Sequence, residues 1–133
     1  MGSLSAADAV PVAEFRAALR GFLRTSERNA RAAGLTPQRY LLLLMIKGAP
    51  DQSEQSTVTE LAERLQLAQS TVTELVRRAE ESGLVEREQS SSDGRVAYLR
   101  LTAEGDSRLR EAFTELETER RELAEAIAHL DRR

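Results

Sequence analysis

Cysteine is absent from the 133 residues of the chain. That removes disulfides, cysteine–metal sites and direct thiol redox sensing together. Histidine occurs once, as His129 in a charged C-terminal stretch, and methionine twice. A built-in metal site and histidine-based acid–base catalysis are therefore poorly supplied. No nucleophile–base–acid set, glycine-rich phosphate loop or metal-spaced cluster stands in the sequence, so the expectation is a chain that is not an enzyme and uses no cofactor and no metal. Long apolar runs are missing too: nothing approaches the roughly 18 residues that would mark a membrane span. The opening Met1-Gly2-Ser3-Leu4-Ser5-Ala6 lacks the basic and then apolar blocks of a secretory leader. Ala6 also stands where a myristoylation signal has serine or threonine. The expected location is the cytoplasm, with no membrane partner.

A surplus of positive charge is also lacking, with 19 basic against 22 acidic residues and a net charge of −3. This argues at first against nucleic acid, but a groove-binding surface needs only a local positive field. The negative excess is concentrated after residue 103, where nine acidic groups face six basic ones. No segment is strongly basic, so non-specific DNA binding is expected to be weak. Of the basic residues, 18 are arginine, which favours bidentate contacts over diffuse lysine charge; a GC-rich genome would produce the same bias.

What the chain does have is an ordinary globular balance, 41% apolar and 31% charged. At this length about 65% of the unfolded surface can be buried, enough for one core. The expectation is a single domain over 1–133. A helix-friendly stretch runs from Pro11 to about Ala33, after a frayed leader, with Phe15, Leu19, Phe22 and Leu23 on one face. Arg16, Arg20, Arg24 and Arg28 make an i,i+4 stripe, either a solvated face or a support for phosphates or a partner subunit. Thr36 and Pro37 suit the cap and first turn of a second helix. Its run Leu41–Ile46 is apolar nearly all round, so it belongs at the buried centre. Gly48-Ala49-Pro50 ends it.

Thr57–Leu65 reads as a third helix. Either Thr57 and Glu60 form a capping box, or Thr57-Val58 is a very short strand and Thr59 is the cap. After the turn Gln66-Leu67-Ala68, a fourth helix covers Gln69–Ser82 with Val72, Leu75, Val76 and Ala79 inward. Two helices joined by so short a turn form a helix-turn-helix pattern. The period then drops to two: Leu84–Arg87 and Arg95–Leu101 read as strands of a hairpin whose polar tip is Glu88–Gly94. Thr102 caps a last helix, expected over 103–131. On it Leu109, Phe113, Leu116, Leu123, Ile127 and Leu130 form a heptad-like seam. An exposed seam of that length would be adhesive, so the terminal helices, 11–33 and 103–131, are expected to build a homodimer; their packing on each other within one chain is the alternative.

Three stretches together resemble the MarR family of winged helix-turn-helix regulators over about residues 15–120. They are Leu35-Thr36-Pro37-x-x-Tyr40-x-Leu42-Leu43; Glu60-Leu61-Ala62-x-x-Leu65 through Ser70-Thr71-Val72-Thr73-x-Leu75-Val76 to Gly83-Leu84-Val85-x-Arg87; and Asp93-x-Arg95 leading to Leu99-x-Leu101-Thr102-x-x-Gly105. The resemblance implies a mainly α fold with a small β-wing, flanked by N- and C-terminal dimerisation helices, the helix-turn-helix plus wing occupying 57–101. It implies a transcriptional regulator that binds a pseudo-palindromic operator in double-stranded DNA as a homodimer, a repressor released by a small effector such as an aromatic acid.

Carried over by position, Ser70, Thr71 and Thr73 start the recognition helix and would touch phosphates or base edges. Arg78 would reach the backbone, and Arg77 fills a position that is often acidic in relatives. Arg95 matches the wing arginine suited to a narrow minor groove, and Asp93 would orient it. Family pockets point to Phe15, Leu19, Arg39, Tyr40 and Met45 as ligand contacts, while Phe15, Phe22 and the heptad residues would make the dimer. Two departures stand out. Ala68 replaces the usual serine cap, and Glu74 stands where relatives often carry a DNA-facing arginine. A glutamate there repels phosphate unless it accepts from cytosine or pairs with Arg77 or Arg78. The alternative reading is a winged-helix protein-interaction module with weak or lost DNA binding.

Overall fold

Pro11 does not start the first helix. In the structure, a computed structural model describing residues 2–90, 92, 94–113 and 116–131, helix α1 spans Ala6–Ala32 and holds Pro11 inside it. The start is set by Ser5, whose hydroxyl accepts the Asp8 amide at 3.1 Å and donates to the Asp8 carboxylate at 2.8 Å. A serine cap followed by an acidic first turn outweighs the one backbone hydrogen bond that proline forfeits. The stretch expected as a frayed leader is thus partly helical.

Helix α2 covers Pro37–Lys47, capped by the Thr36 side chain on the Arg39 amide at 3.1 Å. Leu42, Leu43 and Ile46 are wholly buried, as an all-round apolar helix requires. A two-residue strand, β1 at Gln55–Ser56, precedes helix α3 at Val58–Leu65. Of the two openings left by the sequence, the capping box is the one adopted: Thr57 accepts the Glu60 amide and Glu60 accepts the Thr57 amide. Gln66 then turns left-handed at φ 58, and helix α4 runs Gln69–Glu81.

Ala68 is the N-cap of α4 and gives it no side-chain hydrogen bond. Ala68→Ser is therefore expected to raise stability by about 1 kcal/mol, seen as a higher denaturant midpoint at unchanged slope. An unchanged midpoint would mean that solvent already satisfies this helix end as well as a hydroxyl could.

Strands β2, Val85–Gln89, and β3, Ala97–Leu101, pair antiparallel from Val85↔Leu101 to Gln89↔Ala97, and β1 adds to the other edge of β3. The ladder runs two residues further than alternation suggests, because Glu86–Gln89 pair through backbone although their side chains are exposed. The last helix is not continuous. Helix α5 covers Ala103–Ala112 and helix α6 covers Glu117–Asp131. Phe113 leaves α5 with extended backbone, and Leu116 has φ 49, so neither of these two seam residues stands on a helix.

By its contacts the chain divides into two compact units: Ala30–Phe113, and the terminal segments carrying most of α1 and all of α6. The core of the first joins Leu42, Leu43 and Ile46 of α2 to Leu61 of α3, Val72 and Val76 of α4 and Leu99 of β3. Each such side chain contributes about 1.5–3 kcal/mol by burial. The fold of this unit therefore fixes α4 against α2 and α3 by its apolar stripe, leaving the opposite face to solvent.

A tight joint links the end of α4 to the start of α5. The Thr102 amide donates to the Leu84 carbonyl at 3.0 Å, and its hydroxyl donates to the Gly83 carbonyl at 2.6 Å while accepting the Gly105 amide at 3.0 Å. Gly105 is buried against Leu84 backbone, with no room for a Cβ. Gly83 itself takes φ 74, the left-handed stop that ends α4.

Candidate nucleic-acid interface

The outer face of α4 follows from its inner one. With Val72, Val76 and Ala79 buried, helical geometry turns Ser70, Thr71, Thr73, Arg77 and Arg78 outward, and all five are exposed. Ser70, Thr71, Glu74, Leu75 and Arg78 line a shallow concavity of about 350 Å³ together with Gln38 of α2. Gln38 is the residue that reading the sequence misses. It follows a helix cap and looks like a solvated first-turn position; only the packing of α2 against α4 brings it beside the hydroxyls.

Glu74 is the electrostatic centre of this surface. Its Oε1 accepts from Arg77 Nη2 at 2.6 Å and Arg78 Nε at 3.1 Å, and its Oε2 accepts from Arg77 Nε at 2.9 Å. Arg77 also donates to Glu81. These hydrogen bonds, Arg77 first and then Arg78, hold the Glu74 carboxyl down at about 2, and Glu74 in turn raises Arg77. All of these groups are substantially solvent-exposed, so the pairs add little to stability. Their effect is on charge: two arginines that would make this face positive are matched by two glutamates.

The hairpin carries Arg95 exposed near its tip, where Gln89 donates to the Gly94 carbonyl at 3.2 Å. Asp93, expected to orient Arg95, lies outside the described residues. Lower on the hairpin, Arg87 donates to both oxygens of Glu80 at 3.2–3.3 Å, tying β2 to α4.

The residues expected to hold an effector fall in both units. Tyr40 is in the core, Arg39 and Met45 are half-buried on α2, and Phe15 and Leu19 are half-buried on α1 in the terminal unit. A cavity of about 280 Å³ beside α2 is lined by Leu44, Lys47, Asp106, Leu109, Arg110 and Phe113. At its polar rim Lys47 contacts Asp106 at 2.9 Å and Glu54 at 2.5 Å, and Arg110 contacts Asp106 at 2.5 Å. The hydrogen bonds lower Asp106, with that from Lys47 the largest cause, and raise Lys47, chiefly through Glu54. The sequence holds one signal for this site: Lys47 is its single lysine.

The seam residues separate in the same way. Leu109 is 5% exposed and belongs to the core of Ala30–Phe113, not to a free helix face. Phe113 is 53% and Ile127 48% exposed, while Phe22, Leu116, Leu123 and Leu130 are half-buried. Within the terminal unit, His129 Nδ1 lies 2.6 Å from Glu14 Oε2, an exposed pair joining α6 to α1. Among the described residues no helix is long and apolar enough to cross a membrane, and no cluster of three or more His, Asp or Glu could hold a metal.

A family model, that of the MarR family, matches residues 33–96, the stretch from the end of α1 to the hairpin tip. No curated protein matches the chain. Solved structures do. AbsC, a MarR family transcriptional regulator from Streptomyces coelicolor, is 19% identical with a TM-score of 0.71, over 98% of this chain and 84% of that one. A mutant MarR from E. coli complexed with operator DNA is 20% identical with a TM-score of 0.69, over 87% of this chain and 84% of that one. YusO from Bacillus subtilis is 25% identical with a TM-score of 0.61, over 96% and 98%. The fold is the winged-helix fold of these proteins, a mostly helical chain with a small three-stranded wing between terminal helices. Residues 33–96 thus match the model of the MarR family, and the fold built around them is the one seen in MarR family transcriptional regulators.

Proposed function

We propose that the chain regulates transcription in the cytoplasm as a homodimer on a pseudo-palindromic site in double-stranded DNA. The observation that carries this reading is the edge of α4: Ser70, Thr71 and Thr73 stand exposed on a helix whose other face is locked into the core, with the hairpin and Arg95 directly after it. Short hydroxyls at the start of a rigid second helix suit close approach to phosphates and base edges in a major groove. Arg95 supplies the cation for the neighbouring minor groove. Two of the similar proteins were captured on DNA, one MarR with operator and one MepR with an oligodeoxyribonucleotide, which supports the same use of this fold here. Enzymatic chemistry forms no part of the reading.

In this proposal the chain is a repressor, and a small apolar anion such as an aromatic acid releases it. The cavity between α2 and α5 suits such a molecule, with Leu44, Leu109 and Phe113 for a ring and Lys47 and Arg110 for a carboxylate that takes the place of Asp106 on them. The test is selection of duplexes from sheared host genome at about 0.1 M salt, where specific and non-specific binding can be told apart. Enrichment of one pseudo-palindrome supports the regulator. The competing reading, a protein-interaction module, is favoured by one observation, the pairing of Arg77 and Arg78 with Glu74 and Glu81. Recovery of no duplex even at low salt would decide for it.

Arg95→Ala is expected to weaken the selected duplex by about 10-fold or more while the mass in sedimentation stays unchanged. Full affinity in that variant would remove the hairpin from the interface.

A further inference from the structure

We propose that Glu74 is a specificity-determining residue that reads a cytosine in each half-site, accepting a hydrogen bond from the groove-side N4–H. This rests on the DNA-binding reading above. A carboxylate offers about four acceptor positions on its two oxygens. Three are taken, two on Oε1 by Arg77 and Arg78 and one on Oε2 by Arg77. Among the described residues none takes the remaining position on Oε2, on a side chain that lines the concavity shared by Gln38, Ser70, Thr71 and Arg78.

The paired arginines do two things for such a contact. They hold the carboxylate by three hydrogen bonds, so accepting a fourth requires little further ordering of the side chain. They also neutralise it, so that its approach to the phosphate-lined groove is not opposed by a bare negative charge. With its carboxyl held down at about 2 by the arginines, Glu74 is ionised throughout the neutral range and can only accept. Of the four base edges in the major groove, guanine and thymine present acceptors at the matching position and would be repelled. Adenine offers N6–H but places its N7 acceptor beside it, against the carboxylate. Cytosine presents a donor with only C5–H next to it. The face that looks unsuited to DNA because its charges cancel is thereby suited to one base.

Glu74 lies one helical turn beyond Ser70 and one before Arg78, so the base in question is flanked by the contacts of those residues. Selection from randomised duplexes should show one invariant cytosine per half-site for the unsubstituted protein. Replacing that base by N4-methylcytosine keeps the Watson–Crick pair with guanine but blocks the groove-side N–H. It is expected to weaken binding on the order of 10-fold. Glu74→Ala should bind the methylated and plain duplexes equally and tolerate any base in that column, keeping its preferences elsewhere. Glu74→Gln, which can donate and accept at once, should shift the column towards adenine. Equal binding of the two duplexes by the unsubstituted protein, or an unchanged cytosine preference in Glu74→Ala, would overturn the assignment while leaving DNA binding intact. If the unsubstituted protein enriches no duplex at all, the DNA-binding reading falls and the assignment with it.

Discussion

Gly105→Ala is expected to cost the fold about 3 kcal/mol or more, from a single added methyl group. A Cβ at this position would fall on the Leu84 carbonyl, closer than any non-bonded atoms sit, and the atoms in its way are backbone. Flexible side chains could move aside; this carbonyl cannot, because it accepts the Thr102 amide at 3.0 Å and is held between α4 and β2. The substitution must therefore part α5 from the Gly83-Leu84 stretch, breaking the Thr102 bonds to Gly83 and Leu84 along with the packing of Leu109 and Ala112 into the core. Against a total stability of about 5–15 kcal/mol, such a loss removes much of the margin. Thermal unfolding should show a midpoint lowered by roughly 10 °C. Gly94→Ala makes the same chemical change where nothing lies within 4 Å, and should shift the midpoint by little. A Gly105→Ala protein that melts with the unsubstituted one would mean that α5 docks on α4 more loosely than the joint implies.

Ile127→Glu is expected to turn the proposed homodimer into a monomer and to lower DNA affinity by roughly 100-fold or more, since two half-sites are then no longer gripped together. The argument is from exposure. In the single chain Ile127 is 48% exposed on α6, Leu23 46% and Val12 46% on α1, and Phe113 53% at the end of α5. Ala126 is the one residue of α6 that is buried. Apolar side chains left this open call for another surface, and in the proposed homodimer a second copy of the chain would provide it. A carboxylate at position 127 costs the isolated chain little, because the position is half in water already. In the dimer it would be an unpaired charge taken out of water. Leu123 is a less clean site for the same test, being partly covered within its own chain. An unchanged mass in sedimentation equilibrium would put the dimer contact somewhere other than α6.

Much of this molecule is legible in its sequence because its elements end where local chemistry ends them. Thr36, Thr57 and Thr102 each cap the helix that follows, and Gly83 stops α4. The inward residues of α3 and α4 are those that a 3.6-residue period selects. Where the reading goes astray, the deciding contact is one that pattern does not record. Ser5 starts α1 by bonding Asp8, ahead of a proline that looks like the natural first turn. The interruption after Phe113 has no glycine or proline to announce it, and Leu109, which fits a heptad seam, is taken up by the core instead. The α4 surface shows both sides of this. Its hydroxyls and its odd glutamate are plain from spacing, but that Glu74 takes both arginines at once, and that Gln38 stands beside it, depends on rotamers and on α2 packing across α4.

The joint of Gly83, Leu84, Thr102 and Gly105 also bears on how the proposed regulator would measure its site. The recognition helix ends, the hairpin begins and the hairpin closes within this one knot of short backbone bonds, and Arg87 on Glu80 braces the first strand against the helix. On DNA the helix and the hairpin would then behave as the two jaws of a fixed calliper. The spacing between the grooves they enter is set when the chain folds, not when it binds, so a duplex with the right bases but the wrong groove separation would have to deform itself to fit.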